Sequence, residues 1–179
     1  MATKRASGPM PFDITIKDPK ARIQEYIDRY QKDDSYEGHE RVLMRAIRVI
    51  GATLDSKSQE ATTIFELDVV PGLCSPMERM HGGAMALLVD MATTMAAAPI
   101  SSEGWWEFGG VSRTLSVTYL RPTMMNTTIV VECVVRGIGA NLSVIQFVAR
   151  DKASGKTLAL AEHGKAALSK QVRPKGSSL

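Results

Sequence analysis

Residues 80–98 read MHGGAMALLVDMATTMAAA, and this stretch decides how the rest of the chain is arranged. From Gly83 to Ala98 it runs sixteen residues with a single charge, Asp90. Ala, Leu and Met dominate it, and these are strong helix formers. The apolar character continues round every side, which predicts a helix buried in a core. It is too short and wrongly flanked to cross a bilayer, which takes about 20 apolar residues. A carboxylate in the middle of such a helix costs several kcal/mol unless it is paired, protonated or functional. Asp90 is therefore either a general base or an aspartate that reaches a solvent gap or bonds Thr93 or Thr94 within its own helix. The catalytic reading is carried forward.

At the helix entrance stands His81-Gly82-Gly83. Two glycines leave the first-turn amides uncovered, and a helix N-terminus offers free N–H groups in a partly positive field. Aimed at a carbonyl oxygen, that is an oxyanion hole. The plainer alternative is that the glycines let the helix end pack closely on a sheet, and that His81 only orders the loop. His39 and His163 lie in unrelated polar contexts and receive no role. Gly82 and Asp90 are eight residues apart, so along one helix they stand roughly 12 Å apart. A base and an oxyanion donor must each come within about 3 Å of the reacting centre. One copy of the helix does not supply both, whereas two copies side by side in a dimer do, and the site is expected to straddle a subunit interface.

Outward from this helix, Asp18-Pro19 has the form of an N-cap with a first-turn proline, and Ile23, Ile27 and Tyr30 follow at helical spacing. A short amphipathic helix is expected over 18–32, then a polar loop to His39. Residues 41–52 and 59–70 carry branched apolar runs about Asp55-Ser56-Lys57-Ser58 and read as a β-hairpin. Residues 71–80 are a loop. After the loop SSEGWWEFGG (101–110), residues 111–120 alternate, with Val111, Arg113, Leu115, Val117 and Tyr119 on one face and Ser112, Thr114, Ser116 and Thr118 on the other. Arg121-Pro122 stops that strand. Residues 127–136 and 141–150 form a hairpin about Gly137 and Gly139, and Lys152 to Gly155 turns the chain into a last strand over 157–169. Two strands, a buried helix and then more strands make an α+β arrangement in which an antiparallel sheet wraps a long central helix. The organisation expected is an N-terminal extension over 1–40, one domain over 41–170 and a flexible tail over 171–179.

Composition removes several functions. The chain has 179 residues, with 22 Lys and Arg against 19 Asp and Glu, a net charge of +3. No basic stripe interleaved with aromatics appears, which disfavours nucleic acid. Two cysteines make no disulfide framework and point to a reducing, intracellular compartment. The opening MATKRASGPMPF is basic but broken by Pro and Gly, so a disordered leader is expected rather than a transit peptide. The closing Ser177-Ser178-Leu179 only loosely echoes a peroxisomal address. A cytoplasmic site of action follows, with mitochondrion or peroxisome as weaker alternatives. Cys74 lacks an identifiable paired histidine, no Cys/His spacing suits a metal, and no phosphate-binding glycine loop follows a strand. No metal or other cofactor is expected.

MHGGAMALLVDMATTMAAA, followed by GVSRTLSVTYLRP and RGIGANL, resembles the hotdog-fold acyl-CoA thioesterases of the phenylacetate-pathway and thioesterase-superfamily-member-2 type. The resemblance covers about residues 60–169 and is strongest in His-Gly-Gly followed by Asp at the fixed interval. It implies hydrolysis of an acyl-CoA or another acyl thioester, without cofactor, by a homodimer or a tetramer of paired dimers. Asp90 falls where the family places the carboxylate that activates water or attacks the thioester. Gly82 falls where a backbone N–H polarises the thioester carbonyl, with His81 and Gly83 completing the motif. Ser112, on the Ser/Thr face of its strand, falls where a hydroxyl helps hold the water. Tyr119 to Pro122, including Arg121, and Gly137 to Leu142, including Gly139 and Asn141, match stretches that contact coenzyme A. In the family the glycine comes from one subunit and the aspartate from its partner.

This sequence departs from that pattern in the loop before His-Gly-Gly. The family's Asn or Gln is replaced by Ser75, and no amide side chain occurs from residue 71 to 80. Ser75, Glu78 and Cys74 are the candidates to take its place. The turn at 137–142 lacks the lysine that would meet a CoA phosphate, leaving Arg136 and Arg121 as the nearest cations. The loop at 101–110 is longer than in close relatives, with Trp105 and Trp106 either capping the acyl pocket or packing on a partner. Seven of the ten methionines lie between Met77 and Met125. They fill core, and Met85, Met91 and Met95 are candidates to line an adaptable acyl pocket. The alternatives to hydrolysis are a lyase, dehydratase or isomerase on the same scaffold acting on a polyketide-like or carrier-bound substrate, and a non-catalytic acyl-binding module.

Overall fold

The computed structural model describes residues 10–55, 57–58 and 60–168. The expected leader before residue 10 and the tail over 171–179 lie outside the described residues. The elements are α1 (Pro19–Lys32), α2 (Arg41–Ala46), β1 (Ile47–Asp55), β2 (Glu60–Asp68), α3 (Gly82–Ala96), β3 (Val111–Tyr119), β4 (Thr128–Ile138), β5 (Leu142–Asp151) and β6 (Thr157–Ala166). The strands form one antiparallel sheet in the order β1-β2-β4-β5-β6-β3, with α3 against its inner face. This is the α+β architecture expected from the sequence.

Strand alternation builds the core. Ile129, Val131, Cys133 and Val135 of β4 point inward, as do Ile145, Phe147 and Ala149 of β5. They meet Leu88, Val89, Ala92, Met95 and Ala96 of α3, all fully buried. Truncating Phe147 to Ala in such a setting costs about 3–5 kcal/mol. The helix is not buried all round. Leu87, Asp90 and Thr94, at the spacing of one helical stripe, are only half-buried and line the side next to β3. No helix among the described residues is long and apolar enough to cross a membrane.

One sequence expectation fails at 41–46, which is helical rather than strand. The register explains it. Ile47 pairs with Leu67 at the end of a nine-residue ladder, and β2 then gives way to a turn at Pro71–Leu73. Residues 41–46 have no strand to pair with, so their backbone bonds close locally, as in Met44 N–H to Glu40 O.

Helix α1 starts where Asp18 accepts from the Ala21 N–H at 2.7 Å, the expected cap. It packs on β1 and latches the far end of α3. The buried Arg22 donates to the carbonyls of Ala98 (2.7 Å), Ser101 (2.8 Å) and Ile16 (2.8 Å). These satisfy carbonyls that a helix C-terminus leaves unpaired. From there residues 101–110 return the chain to β3. Trp105 and Trp106 are both buried, and Trp106 Nε1 donates to the Gly139 carbonyl at 2.9 Å. The pair anchors the loop in the core and is not a lid. Gly110, at φ +73°, has space for no side chain. A Cβ there would lie 2.5 Å from the Trp106 ring and 2.6 Å from the Ala166 carbonyl.

Strand β3 is the last strand on its side and, among the described residues, pairs only with β6. Most of its residues are exposed, Val111, Leu115 and Tyr119 among them. A long, unprotected, partly apolar edge is a template for pairing with another chain.

Candidate active site

Two groups of candidate residues stand apart on α3, one at its N-terminus and one half-way along it. The first is its N-terminus. His81 is the N-cap, and its Nδ1 accepts from the Gly83 N–H at 2.9 Å, so His81 orders the loop. The Gly82 N–H is exposed and has no hydrogen-bond partner among the described residues. Tyr119 Oη donates to the Gly82 carbonyl at 2.9 Å and holds the glycine from behind. Ser75, His81, Gly82, Tyr119 and Arg121 converge on a cleft of about 460 Å³ whose apolar wall includes Met85 and Leu158. A free helix-end amide opening into an apolar cleft suits the oxygen of a polarised carbonyl.

The loop before His81 is a tight turn closed by Ser75 N–H to Arg79 O at 2.8 Å, with Glu78 in the left-handed region at φ 56°. Ser75 lies in the cleft lining, and its Oγ is 3.4 Å from the Met77 amide nitrogen. Burial pushes the Cys74 thiol up, which makes it a poor nucleophile. Arg121 is tied by Nη1 to the Thr157 carbonyl at 2.6 Å.

The second group surrounds Asp90. Ser112 Oγ donates to Asp90 Oδ1 at 2.5 Å. Regular alternation would forbid this, because Tyr119 also faces α3 and lies an odd number of residues away. The pairing of β3 with β6 slips by one residue between Ser112 and Thr114. This bulge returns Ser112 to the inner face, while Thr114 stays outside against Gly164. The expected uniform Ser/Thr face of the strand is thus broken at its first member. The hydroxyls of Thr93 and Thr94 reach the Asp90 backbone carbonyl, at 3.2 and 2.7 Å. The carboxylate itself is 36% exposed and faces the open edge of the sheet.

Behind Asp90 stand two residues of β6 that the sequence reading did not place in a site. His163 is fully buried, with Nδ1 2.5 Å from Thr93 Oγ1 and Nε2 3.5 Å from Asp90 Oδ1. Burial, helped by the charge of Lys165, pushes His163 down to about 4 against the pull of Asp90. It is therefore neutral near pH 7, and its contact with Asp90 is not an ion pair. Lys165, also buried, donates to Thr94 Oγ1 at 2.8 Å. The available signal was phase, since 163 and 165 fall in step with the inward Ala159 and Ala161.

Within one chain the two groups do not meet. Gly82 and Asp90 lie on the same helix, roughly 12 Å apart at 1.5 Å per residue. Gly139 and Asn141 lie at the Asp90 end, because Leu142, Ala166 and Val111 are aligned across β5, β6 and β3. Tyr119 and Arg121 lie at the Gly82 end, roughly 27 Å away along the strand.

Comparison with known proteins bears on the fold that carries these residues. The family model described as Thioesterase superfamily matches residues 77–158. Acyl-coenzyme A thioesterase 13 of Homo sapiens, and that of Pongo abelii, are 29% identical over 118 residues, 66% of this chain and 81% of each relative. The zebra fish thioesterase superfamily member 2 structure superposes with a TM-score of 0.69 at 24% identity, covering 82% of this chain and 96% of that one. The PaaI protein of the E. coli phenylacetic acid degradation operon gives 0.61 at 18%, covering 82% and 94%. The matched family segment holds the Gly82 amide, Asp90 and Ser112, and the superposed structures share the sheet wrapped on α3. The chain has the hotdog fold of these structures, and over residues 77–158 it is similar to the thioesterase superfamily.

Proposed function

We propose that this protein hydrolyses acyl thioesters, acyl-CoA foremost, at a site shared between two copies of the chain. The observation that carries the reading is the placement of a free Gly82 amide and the Asp90–Ser112 pair at opposite ends of one open edge strand. Antiparallel pairing of two β3 strands centred on Leu115, the middle residue, sets Ser112 of one copy opposite Thr118 of the other. The Asp90 group of each copy then meets the Gly82 group of its partner, and the exposed edge is covered.

In that arrangement the thioester carbonyl oxygen accepts from the Gly82 N–H at the positive end of α3. Asp90 of the other copy takes a proton from water while the Ser112 hydroxyl, bonded to the carboxylate, fixes its orientation. The water oxygen adds to the carbonyl carbon, and charge gathers on the oxygen held by Gly82. Collapse breaks the C–S bond, and the proton passes to the departing thiolate. The free acid and thiol leave. The apolar cleft wall with Met85 and Leu158 takes the organic part of the substrate, and Ser75 stands on the cleft lining where the family carries an amide.

The test uses two substitutions that spare the helix. Asp90→Asn removes the base. Gly82→Pro removes only the N–H, since proline is favoured at the first helical position and His81 already has an extended backbone at φ −63°, ψ 139°. Each alone is expected to lower kcat on acyl-CoA by roughly 100-fold or more. Refolded together, half of the dimers are mixed and carry one intact site each, so about a quarter of wild-type activity returns. Mixed samples as inactive as their parents overturn the shared site, and Asp90→Asn at wild-type rate overturns the mechanism.

A further inference from the structure

On the inner face of the sheet a polar row crosses three strands, Ser143 on β5, Lys165 on β6 and Ser112 on β3. Lys165 is 2% exposed. Its single hydrogen bond among the described residues goes to Thr94 Oγ1 at 2.8 Å, and Thr94 in turn donates to the Asp90 carbonyl at 2.7 Å, one turn back on α3. Ser143 Oγ is buried with no partner among the described residues. An ammonium in this setting is costly, and a Met or Leu would fill the space without that cost. The charge that acts on it is the Asp90 carboxylate, on which the proposed chemistry depends.

We propose that Lys165 is a positioning residue for Asp90, its ammonium docked on Thr94 as the fixed positive charge that keeps the carboxylate ionised once substrate covers it. This rests on the thioester-hydrolase reading above. In the open chain, water reaches the carboxylate. A bound acyl thioester and the neighbouring copy exclude that water, the local dielectric falls, and a charge already in place counts for more.

The surrounding groups leave this task to Lys165. His163, on the same strand, is held neutral by burial. The residues paired with Lys165 on β3 and β5 are Ser112 and Ser143, which bring hydroxyls and no charge. From α1, Tyr26 senses Asp90, but burial pushes its hydroxyl up and it stays uncharged. Burial pushes Lys165 itself down to about 8, and Asp90 pulls it back up, which is the mutual dependence the proposal requires.

Two measurements on the full-length protein test it. The first needs no substrate, and follows the Lys165 side-chain carbon signal through a pH titration. It is expected to titrate near 8 in the wild type, and at least half a pH unit lower in Asp90→Asn. An unmoved midpoint overturns the proposal. The second follows kcat and KM from pH 5 to 10 on an acyl-CoA. Lys165→Met is expected to shift the acid limb of kcat upward by about one pH unit, a tenfold loss at low pH, with KM changed less than about twofold. Lys165→Arg restores the acid limb and removes the loss of rate above pH 8. An equal loss at every pH in a folded Lys165→Met overturns the proposal. Where that variant does not fold, Thr94→Val, which keeps the charge but unhooks it, must shift the same limb, and an unmoved limb again overturns it. A wild type that cleaves no acyl thioester while the first measurement shows coupling sinks the hydrolase reading and leaves the Lys165–Asp90 pair standing.

Discussion

Tyr119 donates from its phenol to the Gly82 carbonyl at 2.9 Å, across 37 residues of sequence, and so fixes the residue whose other side offers a free amide. The bond spans the end of β3 and the start of α3. Tyr119→Phe keeps the ring packing and deletes about 1 kcal/mol of neutral hydrogen bond, so kcat/KM on acyl-CoA is expected to fall roughly fivefold. The melting temperature should move by no more than about 2–4 °C for that loss. A variant with unchanged kinetics would show that the Gly82 amide is held without Tyr119.

Ser112 touches a carboxylate, and its loss should weigh more. A hydrogen bond to a charged group is worth about 1.5–3 kcal/mol, so Ser112→Ala is expected to lower kcat roughly 10- to 100-fold. KM should change little, because Ser112 is absent from the cleft lining around Gly82. Steady-state kinetics on one acyl-CoA, alongside a melt showing an intact fold, decides it.

His163 makes stability depend on pH. Its folded value of about 4 lies below the unfolded 6.5, so between these the unfolded chain binds more protons. Stability is therefore fully present above about pH 6.5 and is lost as pH falls towards 4, by about 3 kcal/mol in order of magnitude. Melting curves at pH 7, 5.5 and 4.5 should show this fall. His163→Asn should flatten it over that interval, and an equal slope in the variant would mean that other groups carry the effect.

Arg22 acts at the opposite end of α3 from Gly82. Replacing it with Met takes the donor from the carbonyls of Ser101 and Ile16, while the Ala98 carbonyl keeps the Ser101 hydroxyl at 2.8 Å. The expected cost is about 3 kcal/mol, or a melting temperature lower by about 6–12 °C. Activity well below the transition should stay close to wild type, since no Arg22 atom lies in the cleft.

The parts of the fold that could be read in the sequence are those fixed by local chemistry. The apolar run with one acid gave α3, the Asp18-Pro19 pair gave the start of α1, and alternation gave β3 to β6. The eight-residue interval between Gly82 and Asp90 pointed to two copies of the helix for one site, which is the arrangement proposed above. What escaped was decided by pairing across space. Residues 41–46 carry a strand-like composition and fold as helix because β2 ends before it can pair with them. His163 and Lys165 looked like ordinary polar residues of a last strand, and only the register of β6 against α3 turns them inward. Trp105 and Trp106 left open in the sequence whether they cap a pocket or pack on a partner, and their burial in the chain's own core goes with the glycines at 109 and 110, where no Cβ would fit.

The bulge at Arg113 makes chain length, and not side-chain identity, the determinant of which hydroxyl meets the acid. Exchange of the side chain at 113 leaves the residue count, and with it the register of Ser112, as it is. Deleting one residue there would keep every functional group in the protein and still send Ser112 to the wrong side of the sheet. A comparison of relatives that scores only which amino acids occur in this strand would miss that loss. Counting the residues between Gly110 and Leu115 would find it.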